Sequence, residues 1–173
     1  MHELLAEKLI RDVPDFPKPG IVFKDITPVL ESPEALQQVV YLMAANAESK
    51  GADVIVGVES RGFIFGVPVA MALQKPFVLA RKVGKLPYEK IFEEYSLEYG
   101  TNTVEMHTDA IKPGQKAIIL DDLLATGGTA RASARLVERL GGTVVGFGFL
   151  IELGFLNGRE ALLNYDVHSL ITF

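Results

Sequence analysis

Residues 117–130, Ala-Ile-Ile-Leu-Asp-Asp-Leu-Leu-Ala-Thr-Gly-Gly-Thr-Ala, constrain this chain more than any other stretch. The apolar run 117–120 reads as a buried strand, set off by the turn signal Lys112-Pro113-Gly114. Two carboxylates, Asp121 and Asp122, stand where that strand is predicted to end. The small residues Ala125, Thr126, Gly127, Gly128 and Thr129 then lead into a helix. Strand, acid pair, glycine loop and helix N-terminus make a phosphate cradle. Glycines let the backbone approach an anion, threonines supply hydroxyls, and the first helical N–H groups point at it with the helix dipole behind them. A lone Thr-Gly-Gly-Thr is an ordinary strand-to-helix turn; the acid pair beside it marks a site.

Composition narrows the classes. With 173 residues, 49% hydrophobic and 23% charged, the chain is predicted to form one globular domain with a sizeable core. Its net charge of −5 argues against a broad nucleic-acid-binding face. The lack of cysteine excludes disulfides, zinc ribbons and thiol catalysis, and the scattered His2, His107 and His168 form no His-rich metal motif. The start, Met-His-Glu-Leu-Leu-Ala-Glu-Lys, has neither the basic end nor the apolar centre of a signal peptide. No run approaches the roughly eighteen apolar residues of a membrane span. A cytoplasmic location, with no membrane or nucleic-acid partner, is expected.

Residues 3–11 carry Leu4, Leu5, Leu9 and Ile10 between charges and predict a short amphipathic helix. Pro14, Pro17 and Pro19 force an extended segment, and 21–26 follows as a short strand. Ser32-Pro33 reads as an N-cap and first helical residue. Leu36, Val39, Val40, Met43 and Ala47 then recur at helical spacing, predicting a helix over 33–50 with Gly51 just beyond it. From there the pattern alternates, with strands over 53–58, 77–81, 117–120 and 143–151 and helices over 62–73 and 130–140. In the last helix Ala130, Ala134, Val137 and Leu140 form the inward stripe, leaving Arg131, Arg135 and Arg139 outside. Apolar strands alternating with short helices predict an α/β fold, a parallel central sheet flanked by helices. Ligands in such sheets bind at the carboxyl ends of the strands.

Between Arg81 and Asn102 the alternation lapses. A basic segment from Lys82 to Tyr88, punctuated by Gly84 and Pro87, is followed by 91–100, alternately acidic and aromatic. An aperiodic stretch of about twenty residues inside a compact domain is more often functional than accidental. A mobile lid and an exposed β-hairpin arm are the two readings, and they are compatible.

Three strand ends offer chemistry. After 53–58 comes Glu59-Ser60-Arg61-Gly62, where Arg61 precedes a helix and can grip an anion bidentately; a surface loop arginine is the alternative. After 77–79 come Arg81, Lys82 and Lys85, cations suited to a polyphosphate, or a solvated charge run. The third end is the acid pair with its glycine loop. Other nucleotide and hydrolase motifs are missing: there is no Gly-x-x-x-x-Gly-Lys-[Ser/Thr], no Gly-x-Gly-x-x-Gly after the first strand and no Gly-x-Ser-x-Gly.

Residues 120–129, Leu-Asp-Asp-Leu-Leu-Ala-Thr-Gly-Gly-Thr, resemble the phosphoribosyl-pyrophosphate (PRPP) signature of type I phosphoribosyltransferases. The blocks 15–17, 19–26, 60–63, 80–82, 84–87 and 95–100 are similar, in the same order, to those of the adenine-specific branch of that family. The likeness runs from Pro14 to about Leu170. It implies the type I phosphoribosyltransferase fold with a small N-terminal hood (about 1–32) and a mobile lid (about 82–102) within a single domain over 1–173. It also implies transfer of the phosphoribosyl group of PRPP to N9 of adenine, giving AMP and pyrophosphate, with Mg²⁺ as cofactor and a homodimer as the assembly.

Residue by residue, the resemblance implies that Ala125, Thr126, Gly127, Gly128 and Thr129 hold the 5′-phosphate. Asp121 and Asp122 hold the ribose hydroxyls, directly or through Mg²⁺ and water. Ser60, Arg61, Arg81, Lys82 and Lys85 face the pyrophosphate, some reaching across from a dimer partner. Val22, Phe23 and Lys24 hold adenine, Phe23 stacking on the ring while main-chain groups read its edge; without the resemblance Phe23 is read as a core aromatic. Family members commonly carry arginine at the position of Lys24, a departure of little weight if the main chain makes the contact. Hypoxanthine–guanine relatives place a catalytic aspartate where Ala125 stands, and an alanine transfers no proton. The catalytic carboxylate implied here is Glu98 in the lid, beside Tyr99; Glu93 and Glu94 lie nearby, and a merely solvated lid glutamate is the alternative. A xanthine-type relative and a PRPP-sensing regulator without catalysis are the rival readings. Phe23 and Glu98 favour adenine, and the chain has neither an added DNA-binding domain nor a broad basic face.

Overall fold

A computed structural model describes residues 4–96 and 101–173. By its internal contacts the chain divides into two compact units, Met1–Leu42 and Met43–Phe173.

The first unit holds α1 (Leu5–Leu9), β1 (Arg11–Pro14), β2 (Val22–Asp25), α2 (Thr27–Leu30) and the start of α3 (Pro33–Ser49). The predicted first helix stops short because Arg11 enters an antiparallel ladder instead, opposite Asp25, with Asp12 opposite Lys24 and Val13 opposite Phe23. Charge complementarity reinforces that ladder: Arg11 Nη2 donates to Asp25 at 2.5 Å and Lys24 Nζ to Asp12 at 2.6 Å. Asp25 also accepts from the Thr27 hydroxyl at 2.6 Å and the Thr27 N–H at 2.9 Å. Those bonds, the hydroxyl first, with Arg11 added, lower its carboxyl to about 2. Ser32 caps α3 as expected, its hydroxyl accepting from the Ala35 N–H at 3.3 Å.

The second unit contains β3 (Val54–Val58), α4 (Gly62–Leu73), β4 (Phe77–Lys82), β5 (Lys90–Ser96), β6 (Thr101–His107), β7 (Lys116–Leu124), α5 (Gly128–Arg139), β8 (Thr143–Glu152) and β9 (Val167–Thr172). Two 3₁₀ turns, Gly154–Leu156 and Gly158–Leu162, link the last two strands. Among the described residues one sheet runs β5-β6-β4-β3-β7-β8-β9. Its centre, from β4 through β9, is parallel, as predicted, because β3, β7 and β8 are apolar on both faces. Val54, Val56, Ile119, Leu136, Phe147 and Phe149 lie in the buried core.

Four details differ from the sequence expectation. First, β7 does not end at Leu120. Its parallel pairing with β8 continues through Asp121 opposite Phe149 to Leu124 opposite Glu152, so the acid pair lies within the strand. Second, α5 begins at Gly128, so Gly128 and Thr129 are in its first turn and not in the loop. Third, the hairpin that was one of the two readings of the aperiodic stretch is present but is no free arm: β5 pairs with β6 from Lys90 opposite His107 to Ser96 opposite Thr101, and β6 joins it to β4 in the sheet. Fourth, β9 adds a strand the sequence reading did not place. Its residues Val-His-Ser-Leu-Ile-Thr are mixed in polarity, as suits an edge.

Candidate active site

The sheet order sets β4, β3 and β7 side by side and parallel, so the loops after their carboxyl ends converge on one edge. A cavity of about 220 Å³ lies there, and Ser60, Arg61, Arg81, Lys82, Asp121, Asp122 and Thr129 line it together with Glu59 and Tyr95. Of the cations predicted to face a pyrophosphate, three thus reach one wall. Lys85 does not line the cavity: its side chain is exposed on the turn after β4.

Close packing fixes the floor. A Cβ on Gly62 would stand 2.6 Å from the Leu120 carbonyl oxygen and 3.1 Å from the Asp121 Cα, so only glycine lets α4 start hard against β7 at the acid pair. Arg61, the residue before it, donates through Nε to the Asp122 carboxylate, which is largely buried. The structure therefore joins two groups the sequence reading had sent to different parts of the ligand. Asp121 accepts the Asp122 N–H at 2.8 Å. Burial first, then the neighbouring Asp122 charge, pushes its carboxyl well above the usual carboxylate range, against the pull of that N–H and of Arg61.

Glu59 also lines the cavity, and the sequence reading gave it no part. Its carboxylate takes Arg81 in a fork, from Nη2 at 2.9 Å and Nε at 3.1 Å, and accepts the Lys82 N–H at 3.0 Å. The Arg81 bonds, aided by the Lys82 N–H, hold the Glu59 carboxyl below its ordinary value despite burial. Arg81 Nη1 donates to the Lys85 carbonyl at 3.2 Å. The guanidinium therefore comes to the cavity wall oriented, with its charge already shared. A carboxylate beginning the loop next to a predicted cation strand was the available signal.

The expected succession of strand, glycine turn and helix is present, with the turn shortened to 125–127. Gly127, at φ +80°, turns the chain from Ala125 and Thr126 into α5, and a cavity of about 80 Å³ is enclosed by residues of 121–130. Gly127 gives α5 no side-chain cap, and the first-turn residues Gly128, Thr129 and Ala130 line that space; an uncapped helix start suits an anion. Tyr95, from β5, packs on the first turn of α5. Its hydroxyl accepts from Thr129 Oγ1 at 2.8 Å, and its ring packs so closely on Gly128 that a Cβ there would lie 2.9 Å from Cδ2. The outward arginines of α5 explain how the hairpin is held. Glu93 takes Arg135 at 2.8 Å and Arg139 at 3.1 Å, and Arg139 also donates to the Phe92 carbonyl at 2.6 Å.

Val22, Phe23 and Lys24 lie on β2 in the first unit. Phe23 is half-buried and meets Phe16 edge-on at 5.2 Å between ring centroids, while the Lys24 side chain is engaged by Asp12. The proposed catalytic Glu98 and its neighbour Tyr99 fall outside the described residues.

The model of the phosphoribosyl transferase domain matches residues 26–168. Among curated proteins, the adenine phosphoribosyltransferase of Acetivibrio thermocellus is 58% identical over 165 residues, 95% of this chain and 96% of its own. The crystal structure of adenine phosphoribosyltransferase from Thermoanaerobacter pseudethanolicus superposes with a TM-score of 0.94 at 52% identity, covering 97% of this chain and 98% of that one. The enzyme of that name from Saccharomyces cerevisiae, complexed with an imino-altritol 1,6-bisphosphate and adenine, superposes with a TM-score of 0.91 at 40% identity, covering 95% and 96%. The chain belongs to the adenine phosphoribosyltransferase family, with the type I phosphoribosyltransferase fold.

Proposed function

We propose that this chain transfers the 5-phosphoribosyl group of PRPP to N9 of adenine, forming AMP and pyrophosphate in purine salvage. The observation that carries it is the meeting, at one sheet edge, of an anion cradle, an acid pair and two cation-bearing strand ends. Those are the groups a phosphorylated sugar with a pyrophosphate leaving group requires. The bond from C1 to pyrophosphate breaks with positive charge developing on the sugar while N9 attacks. Holding the reactants and neutralising the departing charge lower that barrier.

In this proposal Ala125, Thr126, Gly127, Gly128 and Thr129 bind the 5′-phosphate, Asp121 and Asp122 the ribose hydroxyls, and Ser60, Arg61, Arg81, Lys82 and Lys85 the pyrophosphate. Val22, Phe23 and Lys24 hold the base, and Glu98 with Tyr99 in the lid (about 82–102) serves the proton transfer; hood and lid belong to one catalytic domain. Among the described residues no group of three or more His, Asp or Glu side chains gathers that could hold a metal alone. The donor set suits Mg²⁺, which takes one or two carboxylates together with substrate phosphates, and Asp121 and Asp122 would supply them. Held by these carboxylates and the PRPP phosphates, Mg²⁺ would supply neutralisation of the pyrophosphate charge.

The assembly is proposed to be a homodimer. Helix α4 is apolar nearly all round, and Ile64, Val67 and Met71, on one face, remain exposed. A helix of that kind is stable when both faces are covered. Light scattering should return twice the chain mass, and Val67→Glu should lower it toward one chain; a monomeric wild type contradicts the dimer. No described helix is long and apolar enough to cross a membrane, and the reaction is assigned to the cytoplasm.

Initial rates with PRPP and each of adenine, hypoxanthine, guanine and xanthine test the function. Turnover is expected with adenine alone and is expected to stop with a chelator and return with Mg²⁺. Preference for an oxopurine contradicts the base assignment.

A further inference from the structure

Glu105 lies on β6 and is fully buried, yet the chemistry proposed above leaves it no part. A carboxylate withdrawn from water persists only where donors meet its oxygens. Three consecutive main-chain N–H groups do so: Gly84 at 3.1 Å from Oε2, and Lys85 at 2.8 Å and Leu86 at 2.6 Å from Oε1. Lys90 Nζ stands 3.9 Å from Oε2. Gly84 adopts φ +83°, which lets the turn curl around the acid. Burial alone would raise the carboxyl; the three N–H groups, Leu86 first, together with Lys90, hold it below its ordinary range. The turn after β4 is thus folded around an internal anion.

That turn braces one cation of the cavity wall and carries another, outside the described cavity, that is proposed to reach the pyrophosphate. Lys85 projects its exposed side chain from it, and the Lys85 carbonyl accepts Arg81 Nη1. Glu59 grips the same guanidinium from the other side. Two buried or half-buried carboxylates therefore orient the cations, one directly and one through a backbone turn.

We propose that Glu105 is a positioning residue for polyphosphate binding: by ordering the Gly84-Lys85-Leu86 turn it presents Lys85 and steadies Arg81. The inference rests on the PRPP assignment.

The test is Glu105→Gln, which keeps the shape and loses the charge. The Kd for pyrophosphate, measured by calorimetry, and the KM for PRPP should each rise by at least about tenfold, the scale of a lost charged hydrogen bond. The KM for adenine should stay unchanged. Lys85→Ala added to Glu105→Gln should weaken pyrophosphate binding less than the product of the two single effects, because part of the Glu105 effect runs through the Lys85 side chain. Full multiplication of the two effects, or equal shifts in both substrates' KM with only a lower Tm, would overturn the proposal. If Glu105→Gln does not fold, Gly84→Ala serves instead: its Cβ meets nothing within 4 Å, so it strains the turn's backbone alone, and it must give the same selective loss. Wild-type protein that binds pyrophosphate but makes no AMP would contradict the proposed reaction, while the binding comparison still decides the role of Glu105.

Discussion

Replacing Glu98 by alanine should lower kcat by about two to four orders of magnitude, the range of general acid–base catalysis, with little change in affinity for PRPP. The assignment of Glu98 comes from the resemblance of 95–100 to the adenine-specific blocks, and the carboxylates of the described cavity leave that role open. Of those lining the described cavity, Glu59 is taken up by Arg81 and Asp122 by Arg61. Asp121 is tied to the Asp122 N–H and assigned to the ribose. Ala125 offers no proton at the position where oxopurine-specific relatives carry an aspartate. Glu98 follows Tyr95 by three residues, and Tyr95 already stands at the cavity wall against Thr129. Steady-state kinetics on Glu98→Ala and Glu98→Gln check the assignment; turnover near that of the wild type in both contradicts it. A rise in the KM for PRPP at constant kcat would instead make Glu98 a binding group.

Gly127→Ala should cost about 10²-fold in kcat/KM for PRPP, the scale of a misplacement of about 1 Å in a positioned reactant. Two separate obstacles meet at this residue. Its φ of +80° is a conformation in which an L side chain is strained. A Cβ there would also stand 2.5 Å from the Gly158 carbonyl oxygen and 2.8 Å from the Ala161 Cβ, one of them backbone that cannot swing aside. The loop must shift, and with it the first-turn N–H groups of α5. Thermal unfolding separates stability from function: Tm should fall, but the folded variant should still bind adenine while losing PRPP. Unchanged PRPP kinetics would remove 125–129 from the phosphate site.

What the sequence disclosed, and what it did not, follows from where each signal lies. The strands β3, β7 and β8 were legible because each has a continuous apolar run, and α5 because its inward stripe recurs at helical spacing. The boundary of β7 was misread because two carboxylates look like a strand end. Hydrogen bonding to β8 overrides them, and Arg61 supplies the charge that lets Asp122 be buried. The hairpin was offered only as one of two readings, since its inward positions include Glu93 on β5 and Glu105 on β6, which find arginines and main-chain donors instead of an apolar core. The strand, glycine turn and helix at 117–140 were legible as a local succession, although the strand runs four residues longer and the helix starts two residues earlier than read. The pairing of Glu59 with Arg81 was not legible, because it joins residues on neighbouring strands and leaves no spacing pattern in the chain.

The most direct measurement is ³¹P NMR of the purified protein with PRPP, Mg²⁺ and adenine. The PRPP resonances should be replaced by those of AMP and pyrophosphate in equal amounts, and should persist when adenine is left out. Release of pyrophosphate without AMP, or no consumption of PRPP with adenine present, would contradict the account.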